Sequence, residues 1–142
     1  MKHSNKARAL TIVAVVALAA ITGPAAKAAD GGCSNATLIG TYSDQDTGTI
    51  IGVGPFAGVN VDSFDGKGHI TIGGWSSVDG SVSYGVETGT YTVSPDCTGT
   101  FSVSGGITAF FVIGQAGKEL KIVITSPGTV INCVAEKQFP ES

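Results

Sequence analysis

From residue 65 onward a turn signal recurs about every ten residues, the spacing of an all-β chain. The signals are "DGKG" (65–68), "VDG" (78–80), "PDC" (95–97), "GG" (105–106), "QAGKE" (115–119) and "SPG" (126–128). Asp-Gly and Gly-Gly tolerate the positive φ angles of tight hairpins. Between the turns, apolar residues alternate with polar ones, as they do on a strand whose side chains point to opposite faces. Ile70 and Ile72 share one face, and so do Leu120, Ile122 and Ile124. Residues 129–136 form the last strand, and no amphipathic helix follows the N-terminal segment.

Upstream, residues 36–53 read as one long or bent strand, broken by Pro55. Val59 and Val61 then alternate with Asn60 and Asp62 up to Phe64. Val82, Tyr84 and Val86 lie opposite Ser83, Gly85 and Glu87. After Gly89 the apolar parity passes to Tyr91 and Val93, which predicts a bulge or bend at that glycine. The run 107–113 is apolar on both faces, so its outer face should be covered by another copy or by a packed segment such as 50–56.

Short connections imply antiparallel neighbours. About eight such strands in up-and-down order can close into an antiparallel β-barrel, which removes both exposed edges; a β-sandwich is the alternative. Thr88-Gly89-Thr90 and Thr98-Gly99-Thr100 face each other across one hairpin, and Thr47-Gly48-Thr49 is a third copy. Glycine there relieves crowding where a sheet bends, and threonine suits the pleat.

The N-terminus has the grammar of a secretory signal peptide. Lys2, Lys6 and Arg8 precede an apolar run over residues 10–21, and Ala26-Lys27-Ala28 offers small residues at a cleavage site. The run falls short of the roughly 20 residues of a membrane span. Residues 1–28 are therefore read as a cleavable signal peptide and 29–142 as one secreted or periplasmic domain with no membrane attachment. Four lysines then face all eleven carboxylates, a net charge of −7. Such a chain repels a phosphate backbone, which argues against nucleic acid as a partner.

Export favours a disulfide, and three cysteines allow three pairings. In an up-and-down sheet, Cys33 before the first strand and Cys97 after the fourth lie at the same end. Cys33–Cys97 is the leading pairing and Cys33–Cys133 the second. Cys133 shares its face with Ile131 and Ala135, as a small buried hydrophobe would.

Signals for chemistry are sparse. His69 is the one histidine beyond the leader, with no Gly-x-Ser-x-Gly near a serine, and no catalytic residue is assigned. "VDSFDGKGHI" (61–70) would put Val61 and Ile72 at the first and closing positions of a calcium loop, where neither can coordinate. With no Cys-x-x-Cys either, no metal and no cofactor are expected. Asp44, Asp46, Asp62, Asp65, Asp79 and Asp96 read as residues of turns and strand margins, and Glu87 as a solvent-facing strand residue. Aromatic side chains, foremost Tyr42, Trp75 and Tyr84, are the candidate lining of a ligand cavity, with Tyr91, Phe110 and Phe111 beside them.

The segments "CSNATLIGTY" (33–42), "FDGKGHIT" (64–71), "TGTYTVSPDCTGTF" (88–101) and "GKELKIVITSPGTV" (117–130) resemble a group of small exported bacterial proteins. These share an FDGxG turn and a GTYxVxxDCTGT hairpin. The resemblance implies a β-barrel and export, and transfers no catalytic residue. Cys133 and the "SDQDTG" stretch after Tyr42 depart from the pattern. In architecture such barrels are loosely similar to calycins and to allene oxide cyclase-like barrels, a likeness of fold only.

Three functions follow as expectations. The first is binding of a small apolar or amphipathic molecule in the barrel mouth, with a homo-oligomer as a further option. The second is a cofactor-independent, cyclase-like enzyme using the same cavity. The third is a structural or interaction protein with a filled barrel. An interior void separates the third from the others, and ionisable side chains within it separate catalysis from binding.

Overall fold

The computed structural model describes residues 32–139. The signal-peptide reading lies outside them. Eight antiparallel strands form one closed barrel in up-and-down order. They are β1 (Ile39–Ile50), β2 (Gly54–Asp65), β3 (His69–Val78), β4 (Ser81–Val93), β5 (Thr98–Val103), β6 (Ile107–Gly114), β7 (Glu119–Ile124) and β8 (Thr129–Lys137). Closure is made by β1 against β8, in unbroken register from Tyr42↔Lys137 to Ile50↔Thr129.

The stretch read as one strand over 36–53 ends at Ile50, and the turn Ile51–Val53 reverses the chain. Pro55 does not break a strand. It is the second residue of β2, opposite Thr49 of β1, and pairing with β3 begins only at Phe56. Its missing N–H therefore sits where one flank of the strand is still free.

One end of the barrel is plugged. Residues 33–38 fold across it in a short 3₁₀ turn (Asn35–Thr37), and Leu38 is fully buried. Tyr91 donates its hydroxyl to the carbonyls of Asn35 and Leu38, both at 2.9 Å. Asn35 Oδ1 accepts the Val93 N–H at 2.8 Å. Tyr42, Phe64 and Tyr91 pack edge to face, with centroids 5.3 and 5.1 Å apart. Each such pair contributes about 0.5–1.5 kcal/mol beyond its buried area. Tyr42 donates to the Gly117 carbonyl at 2.6 Å, and burial pushes its phenol up to about 12.

The Cys33–Cys97 disulfide clamps this plug, with Cα atoms 4.9 Å apart, and Cys133 is a buried free thiol. The glycines of all three Thr-Gly-Thr copies face inward where neighbouring strands approach closely. A Cβ at Gly89 would collide with backbone of Ser102 and Val103, and one at Gly48 with backbone of Val130 and Ile131.

Gly89 marks no bulge, however. The β3–β4 register runs unbroken from His69↔Thr90 to Val78↔Ser81. The apparent change of parity arises because Val82, Tyr84 and Val86 lie on the outside of the barrel, 66%, 58% and 57% exposed. Residues 50–56 belong to the β1–β2 hairpin and do not cover β6. Phe110 and Val112 stay on the outer surface, while Ala109, Phe111 and Ile113 fill the core.

The disulfide joins residues 64 apart in sequence. Replacing both cysteines by serine should lower stability by about 3–4 kcal/mol through the entropy returned to the unfolded chain. Urea denaturation would read this as a lower midpoint at an unchanged fold. A loss below about 1 kcal/mol would show that the plug is held by Tyr91 and Asn35 without the clamp.

Candidate functional site

Above the aromatic plug the interior is not filled. A cavity of 240 Å³ extends to the end of the barrel opposite the disulfide. Its walls are apolar, built by Ile50, Phe56, Ile72, Phe101, Ile124 and Ile131. Its floor is polar, with Asp44, Asp46, Asn60, Glu87 and Cys133 reaching it from β1, β2, β4 and β8. The space exists because the inward positions at this level carry little bulk. Ser76 and Gly85 line it, and a Cβ at Gly85 would meet no atom within 4 Å, whereas one at Gly74, also in the lining, would collide with Asn60 and Val59.

Asp65, Asp79 and Asp96 lie at turns or strand ends, as read from sequence, but Asp44, Asp46 and Asp62 do not. Asp44 and Asp46 share the inward face of β1 with Tyr42, and Asp62 shares that of β2 with Phe64. They are 7%, 8% and 1% exposed. Register assembles them: Asp44 lies opposite Asn60, and Asp46 lies opposite Cys133 across the closing seam. Asn60 donates its amide to Asp46 Oδ2 at 2.7 Å. Asp44 Oδ1, Asp46 Oδ1 and both Asp62 carboxylate oxygens have no hydrogen-bond partner. Donor atoms of Asp44, Asp46 and Cys133 lie within 4.8 Å of one another.

Burial and mutual repulsion set the proton affinities. Burial, followed by the charges of Asp62 and Asp46, pushes Asp44 up to about 9. Burial and then Asp46 push Asp62 up to about 7. The same two causes raise Glu87, which faces the cavity and not solvent as its parity suggested. Burial among these acids also raises the Cys133 thiol. No basic side chain among the described residues is buried. Lys67, His69, Lys118 and Lys121 are exposed, and Lys137 is half-buried beside Gly40 at the plugged end.

The three aromatics chosen from sequence do not come together. Tyr42 is inside the barrel, within the plug below the cavity. Trp75 and Tyr84 are paired neighbours on the outer surface, centroids 5.4 Å apart and more than half exposed. Tyr91 and Phe111 are in the core and Phe110 is outside. His69 is an exposed turn residue. Asp65 accepts the backbone N–H groups of Lys67, Gly68 and His69 at 2.7–2.9 Å and meets His69 Nδ1 at 2.9 Å. These bonds, the His69 backbone first, hold Asp65 well below the usual carboxylate range.

The residues missed in sequence were Asp44, Asp46, Asn60, Asp62 and Glu87. One signal was present: Asp44 and Asp46 fall on the parity of Tyr42. No family model matches the chain, and no match to it is found among curated proteins or solved structures.

Asp44 and Asp62 bind protons more tightly in the folded barrel than in the open chain. The stability they contribute is complete below about pH 4, the unfolded carboxylate range, and drains away as pH rises. The decline runs through about 7 for Asp62 and about 9 for Asp44. Asp65 acts oppositely, its contribution fading as pH falls below about 4. Urea midpoints in metal-free buffer should therefore fall steadily from about pH 5 to pH 9. The Asp44→Asn/Asp62→Asn double variant should flatten that slope. An equally steep slope in the variant would place the proton-linked groups elsewhere.

Proposed function

We propose that this protein is an exported small-ligand-binding barrel. Its ligand is an amphipathic molecule with an apolar body and a proton-donating or cationic end. The observation that carries this reading is the 240 Å³ cavity with apolar walls and an acid floor. That volume lies below the roughly 300–1,000 Å³ of sites for drug-sized ligands, so the ligand is small. The floor offers acceptors: unpaired oxygens of Asp44 and Asp46, with Glu87 beside them. A carboxylate or phosphate end would meet like charge there, whereas an ammonium end would offset it.

Export is supported by the leader's charge and apolar pattern and by the Cys33–Cys97 bridge, which suits an oxidising compartment. Kinship with the exported barrels that carry the FDGxG turn and the DCTGT hairpin is part of the same reading. The outer faces of β1 and β5 carry Ser43, Gln45, Thr47, Thr100 and Ser102, which suits a water-facing barrel.

A second reading, acid catalysis on a molecule held in the same cavity, is favoured by one observation. Asp44, which lines the cavity, is pushed up to about 9 and so holds its proton at neutral pH, as a general acid requires.

Short-chain alkylamines should raise the melting temperature in a concentration-dependent way, as any ligand of the native state does. Alkanoates of equal length should not. Gly85→Leu should abolish the response, because Gly85 lines the cavity and a Cβ there would meet no atom within 4 Å, so the added side chain takes up cavity space. Native mass spectrometry of protein from its own source should show a retained molecule in wild type and none in Gly85→Leu. An equal response to amines and alkanoates, surviving in Gly85→Leu, would refute the cavity as the site.

A further inference from the structure

We propose that the cavity floor is a site for one divalent transition-metal ion, ligated by Asp44, Asp46 and Cys133. This goes beyond small-ligand binding and does not rest on it, since the metal needs only the floor.

Three observations converge. The donor atoms of the three residues lie within 4.8 Å of one another. Tetrahedral donors held at about 2.0–2.3 Å from one ion lie about 3.3–3.8 Å apart, so side-chain rotations that draw the three atoms together by up to about 1.5 Å close the shell. Secondly, Asp44 Oδ1 and Asp46 Oδ1 are buried with no partner, in residues 93% and 92% removed from solvent. A carboxylate oxygen in that state is strongly disfavoured unless a proton or a cation meets it. Thirdly, Asn60 holds Asp46 by Oδ2 at 2.7 Å and leaves Oδ1 free, the arrangement by which an outer hydrogen bond orients a metal-binding carboxylate.

The backbone pre-organises this set. Asp46 faces Cys133 across the β1–β8 seam, and Asp44 stands two residues along on the same inward face. Asp62 lies fully buried next to the carboxylates, and neither of its oxygens has a hydrogen-bond partner that would compete for them. The described basic residues are not buried and supply no alternative counter-ion inside.

The donor chemistry selects the ion. Two carboxylates alone would suit Mg²⁺ or Ca²⁺, but sulfur as the third donor favours a borderline ion of the Zn²⁺ kind. On binding, the Cys133 thiol and the Asp44 carboxyl each give their proton to solvent, and the thiolate sulfur and carboxylate oxygens give lone pairs to the metal. No electron is transferred, and the open positions are left to water or to an oxygen or nitrogen of a ligand above.

Co²⁺ is the probe, because a thiolate bound to it produces an intense near-ultraviolet charge-transfer band. Anaerobic titration of the folded, disulfide-intact protein with Co²⁺ should produce that band at one equivalent, and Zn²⁺ should displace it. Ca²⁺ at millimolar concentration should not. Cys133→Ser should lose the band. Asp46→Asn should weaken Co²⁺ binding at least tenfold, while its urea midpoint in metal-free buffer stays equal to or above that of wild type. That midpoint separates a lost ligand from a lost fold. Absence of the band in wild type, retention of full affinity in Asp46→Asn, or displacement by Ca²⁺ would each overturn the proposal. None of these readings depends on the response to alkylamines, so the two ideas fail separately.

Discussion

Pairing of β1 with β8 is the interaction on which the rest of this structure depends. It runs over nine residue pairs and removes the two edges that an eight-stranded open sheet would expose. It also fixes an inside. Once the ring is closed, residues of even number on β1 and β2 have nowhere to point but the interior, whatever their polarity. In a barrel of eight strands the interior is just wide enough for side chains to fill. Where the inward positions are Leu38, Tyr42, Phe64 and Tyr91, it is filled. Where they are Ser76 and Gly85, it is not, and the cavity is the remainder.

This constraint overrides local hydrophobicity along two strands. Val59 and Val61 face solvent while Asn60 and Asp62 face inward. Val82, Tyr84 and Val86 face solvent while Gly85 and Glu87 border the cavity. A hydrophobic-inside rule assigns both segments to the wrong face, because a strand's two faces differ only by a one-residue shift. The turns were legible because their chemistry is local: Asp79 and Gly80 both adopt positive φ between β3 and β4, as do Gly105 and Gly106 between β5 and β6. The Cys33–Cys97 bridge was legible because alternating strand direction alone puts both cysteines at one end. The acid floor was not, because its members come from four strands and meet only through register.

Strands whose polar residues point inward contradict the pattern that would stabilise them most, and such conflicts concentrate at functional sites. Here the conflict is electrostatic as well. Asp44, Asp46 and Asp62 share a low-dielectric interior with no buried basic side chain among the described residues. Protons, a metal ion or a cationic ligand each resolve it, and each couples occupancy of the floor to the stability of the whole barrel.

The two ends of the barrel divide the work. At one, the disulfide, the Asn35 and Tyr91 hydrogen bonds and the three edge-to-face aromatics fix the plug without any ionised group. At the other, the cavity ends among short turns that bear no part of that packing. Side chains at the mouth, such as Phe56, Ile124 and Thr129, are only partly buried. Rearranging them would leave the plug and the β1–β8 seam intact, so access to the floor need not compromise the fold. A binding site at the plugged end would have no such freedom, since every group there already holds the ring shut.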